Sequence, residues 1–170
     1  MNLQATFAAA LVDEWVRSHV AFAVIAPGSR STPLALALAA EPRMNTTVVL
    51  DERAAGFVGL GLGQAYGLPT IVLTTSGTAA VNLHPAIVEA HHARVPLIVC
   101  TADRPPELHH VGAPQTIEQD RLFEGVLRWA ASPGVADAAA AGTWRSLAAR
   151  AVVEATDHPC GPGPVHLNLA

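Results

Sequence analysis

The sequence AFAVIAPGSRSTPLALALAA, residues 21–40, decides the fold. It opens with six apolar residues rich in strand formers and reaches a turn signal at Pro27-Gly28. Pro33 suits the first turn of the helix that continues through LALALAA. The segment therefore predicts a strand, a tight turn and a helix in succession. Three residues that commonly cap helices follow the turn: Ser29, Ser31 and Thr32.

The same unit recurs along the chain. Continuous apolar strands that alternate with helices predict an α/β fold, a three-layer sandwich around a central, mainly parallel sheet of about six strands. Apolar runs predict further strands at residues 46–50, 70–75, 96–102, 126–130 and 164–169. Periodic apolar positions predict helices at residues 3–18, 51–67, 76–93 (after a turn), 116–124 and 138–156.

Composition narrows the class of protein. Hydrophobic residues make up 51% of the 170 residues and charged residues 14%, which predicts one domain with a substantial core. A net charge of −4 without a basic run argues against a nucleic-acid surface. No stretch approaches the roughly 20 apolar residues of a membrane span, and the N-terminus resembles an amphipathic helix more than a signal peptide. Cys100 lies in an apolar run, so we expect a buried thiol in a cytoplasmic protein.

The eight histidines show no metal-ligand spacing, and Cys100 and Cys160 do not form a pair with zinc spacing. We therefore expect no metal site made by this chain alone. In a parallel sheet, ligands bind beyond the carboxyl ends of the strands. Candidate ligand-binding positions are therefore the four segments that follow Ala26, Leu50, Thr75 and Thr101.

The first segment is PGSRSTP, residues 27–33. A helix N-terminus offers free N–H groups, and Arg30 adds a planar cation, so the segment suits a carboxylate or phosphate. An ordinary capped turn with an exposed arginine explains it equally well.

The second segment is DER, residues 51–53, where Asp51 is a candidate cap. Glu52 either complements the helix dipole or delivers a carboxyl group for proton transfer.

The glycines after this segment do not form a cofactor loop, because their spacing is not G-x-G-x-x-G and they lie inside a helical pattern. Gly56, Gly59 and Gly63 share one helix face. Each glycine costs about 0.5–1 kcal/mol of helix stability relative to alanine, so we expect a packing reason. Close packing at a domain or subunit interface and approach of a ligand are both possible explanations.

The third segment, TSGTAAVN (residues 75–82), is a capped turn without the pattern of a nucleophile elbow. The fourth joins TADRPPEL (101–108) to GAPQTIEQ (112–119). Pro105-Pro106 stiffens this loop and directs Arg104. The loop is therefore either a binding loop or a surface crossover.

Taken together, these segments resemble the N-terminal domain of the 2-succinyl-5-enolpyruvyl-6-hydroxy-3-cyclohexene-1-carboxylate synthases, thiamine diphosphate-dependent transferases of menaquinone biosynthesis. The resemblance implies the pyrimidine-binding fold for residues 1–170, with the central and diphosphate-binding domains absent from this chain. The motifs that carry it are IAPGSRSTPL (25–34), DERAAGFVGLGLG (51–63), TTSGTAAVNLHPAIVEA (74–90), TADRPPEL (101–108) and GAPQTIEQ (112–119).

The resemblance also implies a reaction. The family decarboxylates 2-oxoglutarate and adds the resulting succinic semialdehyde–thiamine diphosphate carbanion to isochorismate. It uses Mg²⁺ or Mn²⁺, held with the diphosphate by the domain that is absent here. Its active site forms between chains, so the resemblance implies a homodimer or homotetramer in the cytoplasm. The fragment alone is expected to be inactive.

The resemblance carries over to single positions. Glu52 matches the catalytic glutamate, which hydrogen-bonds the pyrimidine ring and promotes loss of the thiazolium proton. Pro114 stands where some relatives carry Asn. The positions that match substrate contacts are Ser29, Arg30, Arg104 and Gln115. Besides Glu52, the positions that match the cofactor pocket are Ser76, Gly77, Thr78 and Asn82.

Two alternatives remain open at this point. The chain could be the pyrimidine-binding domain of another thiamine diphosphate enzyme, such as an acetohydroxyacid synthase or a 2-oxoacid decarboxylase. Arg30 and Arg104 favour a substrate with several carboxylates over pyruvate. The chain could also be a non-catalytic α/β module for assembly or regulation, an interpretation that an internal salt bridge at Glu52 would favour.

Overall fold

A computed structural model describes residues 2–170 as a six-stranded sheet between two layers of helices. The strands are β1 (Phe22–Ile25), β2 (Asn45–Val48), β3 (Thr70–Thr74), β4 (Leu97–Ala102), β5 (Trp129–Gly134) and β6 (Pro164–Leu169). The helices are α1 (Leu3–Arg17), α2 (Thr32–Ala40), α3 (Glu52–Tyr66), α4 (Thr78–Val81), α5 (His84–Ala93) and α6 (Trp144–Thr156).

The strand order is β2-β1-β3-β4-β6-β5, and every neighbouring pair is parallel. This confirms the predicted three-layer α/β fold with its six strands. The central strands β3 and β4 are buried along their whole length, whereas the edge strand β2 is largely exposed. All six carboxyl ends lie at one edge of the sheet, and the segments that follow them meet there.

Side chains from successive strand positions point to opposite faces of the sheet and form two cores. One core packs against α1, α2 and α6 and includes Trp15, Leu38 and Trp144. The other packs against α3 and α5 and includes Leu60 and Ile87. Cys100 lies in the first core, where burial raises the pKa of its thiol, as predicted for a buried cysteine.

The glycine face of α3 packs on the sheet of its own domain. A Cβ atom on Gly59 would overlap the Cγ2 atom of Val72, which lies in β3. A Cβ on Gly56 would lie 2.9 Å from the Cβ of Ala86. The explanations by a ligand or by a domain or subunit interface are therefore wrong, because close contact between α3, the sheet and α5 uses this face.

The caps predicted for α2 and α3 have different outcomes. Asp51 caps α3 as predicted, since its Oδ1 accepts a hydrogen bond from the Ala54 amide at 2.7 Å. Ser31 precedes α2 but does not cap it with its side chain. Its hydroxyl instead accepts from the Gly28 amide and donates to the Gly28 carbonyl, at 3.1 and 3.0 Å. Neither Ser29 nor Thr32 replaces it as the cap.

The prediction of a helix at residues 116–124 is wrong. The chain there forms turns, with amides bonded three residues back, as from Leu122 to the Gln119 carbonyl at 3.1 Å. Long-range bonds made by the Gln119 side chain hold this segment against the sheet. The predicted strand at 126–130 begins later, at Trp129.

Two other helices are shorter than predicted. The helix predicted at 76–93 is divided into α4 and α5, because Pro85 lacks the N–H that a continuous helix would bond to Val81. The helix predicted at 138–156 begins with a 3-10 segment, Ala138–Thr143, before α6. Within residues 2–170, none of the helices combines the length and the apolar character that crossing a bilayer requires.

Candidate active site at the carboxyl edge of the sheet

A cleft opens at the carboxyl edge, between α1, α2 and the ends of β3, β4 and β6. Its volume is about 250 Å³. Apolar side chains of α1 and α2 form one wall, while Ser29, Arg30 and Asp103 supply polar groups. The cleft therefore combines an apolar surface with one cation from the predicted site.

The turn after β1 brings Arg30 to the rim of this cleft. Gly28 makes the turn possible, because a Cβ there would overlap the side chain of Thr75 at the end of β3. Ser29 and Arg30 are exposed. Within residues 2–170, Arg30 forms no ion pair and donates no hydrogen bond, so its guanidinium is available to an anion.

Glu52 is the first residue of α3 and lies beyond the carboxyl end of β2. Its side chain is half-buried. Asp51 provides the helix cap, and Glu52 has no hydrogen-bond or ion-pair partner in the described part of the chain. The internal salt bridge that would favour a non-catalytic module is therefore not found there. Glu52 does not line the cleft that holds Arg30.

The turn after β3 brings together the positions predicted for the cofactor. Ser76 and Gly77 are buried, whereas Thr78 and Asn82 are exposed. The φ angle of Gly77 is +76°, a conformation that favours glycine. The Asn82 amide donates to the Thr78 carbonyl at 2.9 Å and holds the short helix α4 together.

The loop after β4 folds back onto that turn. The Gln115 side chain donates to the Ser76 carbonyl at 2.9 Å, and the Ser76 hydroxyl donates to the Gln115 carbonyl at 3.0 Å. Arg104 reaches the Pro114 carbonyl through Nη2 at 2.8 Å and through Nε at 3.2 Å. The position occupied by proline thus still supplies a polar atom, its backbone oxygen. The structure therefore joins Arg104 and Gln115 to the turn after β3.

Sequence reasoning missed a buried polar network behind this loop. Gln119 is fully buried, and its Oε1 accepts from the Gly77 amide at 2.7 Å. Its Nε2 donates to the Ala102 carbonyl at 3.1 Å and to Asn168 Oδ1 at 2.8 Å. One side chain therefore connects the ends of β3, β4 and β6.

Asn168 is the centre of the same network. Its Oδ1 also accepts from the Thr101 hydroxyl at 2.8 Å, and its Nδ2 donates to Asp103 at 2.7 Å and to Asp120 at 2.9 Å. The Thr101 hydroxyl has one hydrogen, which it donates to Asn168. It must therefore accept the hydrogen bond with His166 Nε2, 2.7 Å away, so His166 is the donor. The sequence feature that could have predicted this network is the strand PVHLNL. Its two polar residues, His166 and Asn168, are two positions apart and therefore point to the same buried face of the sheet.

The surroundings of this network lower the pKa of two of its side chains. Burial lowers the pKa of His166 to about 4, and the Asp120 carboxylate opposes this shift only in part. The pKa of Asp120 is itself lowered, first by the Ser132 hydroxyl and then by the Asn168 amide. At neutral pH the network therefore holds a neutral His166 and a charged Asp120.

Comparison with known proteins identifies the family. The model described as thiamine pyrophosphate enzyme, N-terminal TPP binding domain, matches residues 5–122, which is most of the chain. The chain belongs to the thiamine pyrophosphate enzymes. The match includes β1 to β4, the turns that follow these strands and the loop with Arg104 and Gln115.

This thiamine pyrophosphate enzyme domain is also similar to curated proteins named 2-succinyl-5-enolpyruvyl-6-hydroxy-3-cyclohexene-1-carboxylate synthase. The protein from Thermobifida fusca is 51% identical over 100% of this chain and 31% of its own length. The protein from Geobacillus kaustophilus is 51% identical over 95% of this chain and 28% of its own length. The protein from Chloroflexus aurantiacus is 50% identical over 95% of this chain and 27% of its own length. The chain thus spans less than a third of the length of these relatives.

The thiamine pyrophosphate enzyme domain has no cluster of three or more His, Cys, Asp or Glu side chains arranged to hold a metal ion, as far as residues 2–170 are concerned. The carboxyl edge of residues 2–170 does offer the half-buried carboxyl group of Glu52, the free guanidinium of Arg30 and a buried hydrogen-bonded scaffold. Such a set suits proton transfer and recognition of anionic groups.

Proposed function

We propose that this chain is the N-terminal, pyrimidine-binding domain of a 2-succinyl-5-enolpyruvyl-6-hydroxy-3-cyclohexene-1-carboxylate synthase. The full enzyme would decarboxylate 2-oxoglutarate and transfer the four-carbon product to isochorismate in menaquinone biosynthesis. Support comes from three relatives of that name, each about half identical over nearly the whole chain. The observation that carries the chemistry is the half-buried carboxyl group of Glu52, which has no internal partner among residues 2–170.

Glu52 would hold a proton against the pyrimidine ring nitrogen of thiamine diphosphate. Within residues 2–170 the Glu52 carboxyl group has no ion-pair or hydrogen-bond partner, so it is available to bond to the ring. The N-cap bond of Asp51 leaves Glu52 free for this role. The cofactor, when bound, supplies the electron sink for decarboxylation and carbon–carbon bond formation.

The turn after β3 would bind the rest of the pyrimidine ring. Thr78 and Asn82 are exposed and would offer polar groups to the ring, while Ser76 and the positive-φ Gly77 form the buried part of the turn. We assign the diphosphate and its Mg²⁺ or Mn²⁺ to a domain outside this chain. The carboxyl edge offers no acidic cluster for a metal within residues 2–170.

The substrates are anions, and four residues would contact their carboxylates and hydroxyls: Ser29, Arg30, Arg104 and Gln115. Arg30 is free at the rim of the cleft. Arg104 uses Nε and Nη2 on Pro114, which leaves Nη1 for a substrate oxygen. Because Pro114 fixes the guanidinium plane, Arg104 would meet its carboxylate without first being ordered.

We also propose that the working enzyme is a homodimer or a larger homo-oligomer. Several large apolar side chains of β2, α3 and α4 are exposed in this domain. Leu50, just before α3, is 83% exposed. A neighbouring domain or subunit that covers these side chains would remove apolar surface from water. The exposed members are Val48, Leu50, Phe57, Val58, Tyr66 and Val81.

The proposed function is tested in the full-length enzyme with 2-oxoglutarate, isochorismate, thiamine diphosphate and Mg²⁺. We expect product formation by the wild type. In Glu52→Gln, we expect hydrogen–deuterium exchange at the thiazolium carbon of the bound cofactor to slow by about 10²–10⁴-fold, the usual range for loss of an acid–base group. The matched control is Glu89→Gln, an exposed residue of α5 away from the carboxyl edge.

The proposal fails if the wild type consumes 2-oxoglutarate but never forms a product with isochorismate. Equal exchange rates in the wild type and in Glu52→Gln would remove Glu52 from its role while leaving the assignment of the substrates intact. Thermal unfolding of both variants at the wild-type temperature would show that the change is chemical and not structural.

A further inference from the structure

Three hydrogen bonds join the turn after β3 to the loop after β4. Two of them connect Ser76 and Gln115 in both directions. The third runs from the buried Gly77 amide to Gln119 Oε1 at 2.7 Å. The turn is part of the proposed cofactor pocket and the loop carries proposed substrate contacts. The two halves of the site are thus attached to each other before either ligand binds.

The three hydrogen bonds between the turn and the loop form a clamp that uses two glutamine residues, Gln115 and Gln119. The two differ in their surroundings. Gln115 is exposed, whereas Gln119 is fully buried. The amide of Gln119 is used at both ends, since Oε1 faces Gly77 while Nε2 faces Ala102 and Asn168. It therefore fixes the loop relative to the sheet and the turn relative to the loop.

The Gly77 amide has no second acceptor among residues 2–170. If Gln119 Oε1 were removed, a buried N–H would remain unpaired, and the turn would have to move to find water or another acceptor. Gly77 also lies against Gln115, because a Cβ on Gly77 would be 2.8 Å from Gln115 Cγ. Movement of the turn would therefore displace Gln115 as well.

We propose that Gln119 is a positioning residue whose buried amide holds the turn at residues 76–78 and the loop at residues 104–115 in one fixed arrangement. It touches neither cofactor nor substrate and acts through Gly77 and the loop. This inference rests on the proposed function for the identity of the ligands. The mutual clamp itself depends only on the hydrogen bonds of the chain.

The test compares variants of the full-length enzyme. Gln119→Met keeps the length of the side chain and removes both polar ends. We expect the dissociation constant of thiamine diphosphate and the KM for isochorismate each to rise about tenfold, the change expected for one lost buried hydrogen bond. With both ligands saturating, kcat should stay within about threefold, because the reacting groups are unchanged.

Two further variants separate positioning from general stability. Gln119→Glu retains an oxygen facing Gly77 and, once protonated, a donor facing Ala102 and Asn168, so we expect its cofactor affinity to return toward the wild-type value as the pH is lowered. Thr101→Val removes a hydroxyl of the same buried network that accepts only a long bond from Gln119 Nε2, at 3.4 Å, and does not contact Gly77. It should lower the melting temperature while changing neither binding constant more than about twofold.

If Gln119→Met does not fold, Gln119→Asn replaces it. Its side chain is one methylene too short to bridge Gly77 and Asn168, and it should raise both constants.

The proposal is overturned if folded Gln119→Met, or its Asn replacement, binds cofactor and isochorismate like the wild type. It is also overturned if Thr101→Val raises the two constants as much, because the effect would then be loss of stability. Failure of the proposed function is separate. A wild type that binds thiamine diphosphate but forms no product would refute the substrates, and the cofactor constants of the variants would still decide the role of Gln119.

Discussion

His166 is a histidine that folding keeps uncharged. Its ring is 1% exposed and donates to Thr101, so a proton added to the ring must be accommodated without water. Burial lowers its pKa from 6.5 to about 4. Between these two values the unfolded chain takes up a proton that the folded chain does not. Stability therefore falls as the pH is lowered through this range.

We predict a measurable acid sensitivity from this one residue. Between pH 6.5 and about 4, the free energy of unfolding should fall by about 1.4 kcal/mol per pH unit, roughly 3 kcal/mol in all. In His166→Gln, which cannot be protonated, this component should be absent. Urea unfolding of the 170-residue chain at several pH values measures it. Parallel curves for the wild type and the variant would contradict the prediction.

The positions of candidate site residues in the fold could be predicted where the sequence carries a local signal. Asp51 and Glu52 follow directly after a strand and begin a helix, so their place at the carboxyl edge was predictable from a few neighbouring residues. Gln119 was not predictable in this way, because its partner Gly77 lies 42 positions away in the chain. The pair Thr101 and His166 is separated by 65 positions. Only the folded sheet brings such groups into contact.

At the level of elements, α3 shows how closely a helix can lie on this sheet. The Cα of Gly59 faces Val72 with no space for a methyl group. Gly61, two residues further along the same helix, is exposed and has no atom within 4 Å of the position of a Cβ. The two glycines therefore share helix propensity and differ only in their surroundings.

This pair makes a matched experiment. Gly59→Ala should destabilise the chain by about 1–3 kcal/mol, since α3 or β3 must shift to admit the methyl group. Gly61→Ala should stabilise it by about 0.5–1 kcal/mol, because alanine has the higher helix propensity and meets no obstacle. Chemical denaturation of both variants gives the two values. The packing explanation is refuted if both substitutions have the same sign.

Elements that are stabilised by their own composition were predicted well, and those held by remote contacts were not. The buried strands β3 and β4 have apolar sequences that favour strands in any setting. Residues 116–124 have a helical composition, yet their anchor is the side chain of Gln119 in the polar network. Those bonds stabilise a chain of turns, and the weak helix preference of nine residues does not compete with them.

For the whole molecule, the important fact is the share of its relatives that it represents. The chain spans 31% of the Thermobifida fusca synthase and 28% of the one from Geobacillus kaustophilus. It presents a free carboxyl group and a free arginine at one edge of the sheet, with exposed apolar side chains along β2 and α3. These features support a domain that contributes part of an active site.

We therefore predict that the isolated 170 residues fold but form no product from 2-oxoglutarate and isochorismate. The physical reason is that residues 2–170 provide no group of His, Cys, Asp or Glu side chains to hold the metal ion that would bind the diphosphate. A turnover assay of the isolated chain, with the full-length enzyme as the positive control, measures this. Full synthase activity from the isolated chain would refute the division of the site between domains.

The strand order has a consequence for synthesis of the protein. Strands β1, β3 and β4 are neighbours in the sheet and are complete once residue 102 has been made, so a partial sheet can form on the ribosome. The nascent strand β5 pairs only with β6, which is translated later. Until then β5 is an unpaired strand and a site for aggregation, and β4 is the open edge of the partial sheet. Pro133 within β5 has no amide hydrogen to donate, which protects the growing chain during that interval.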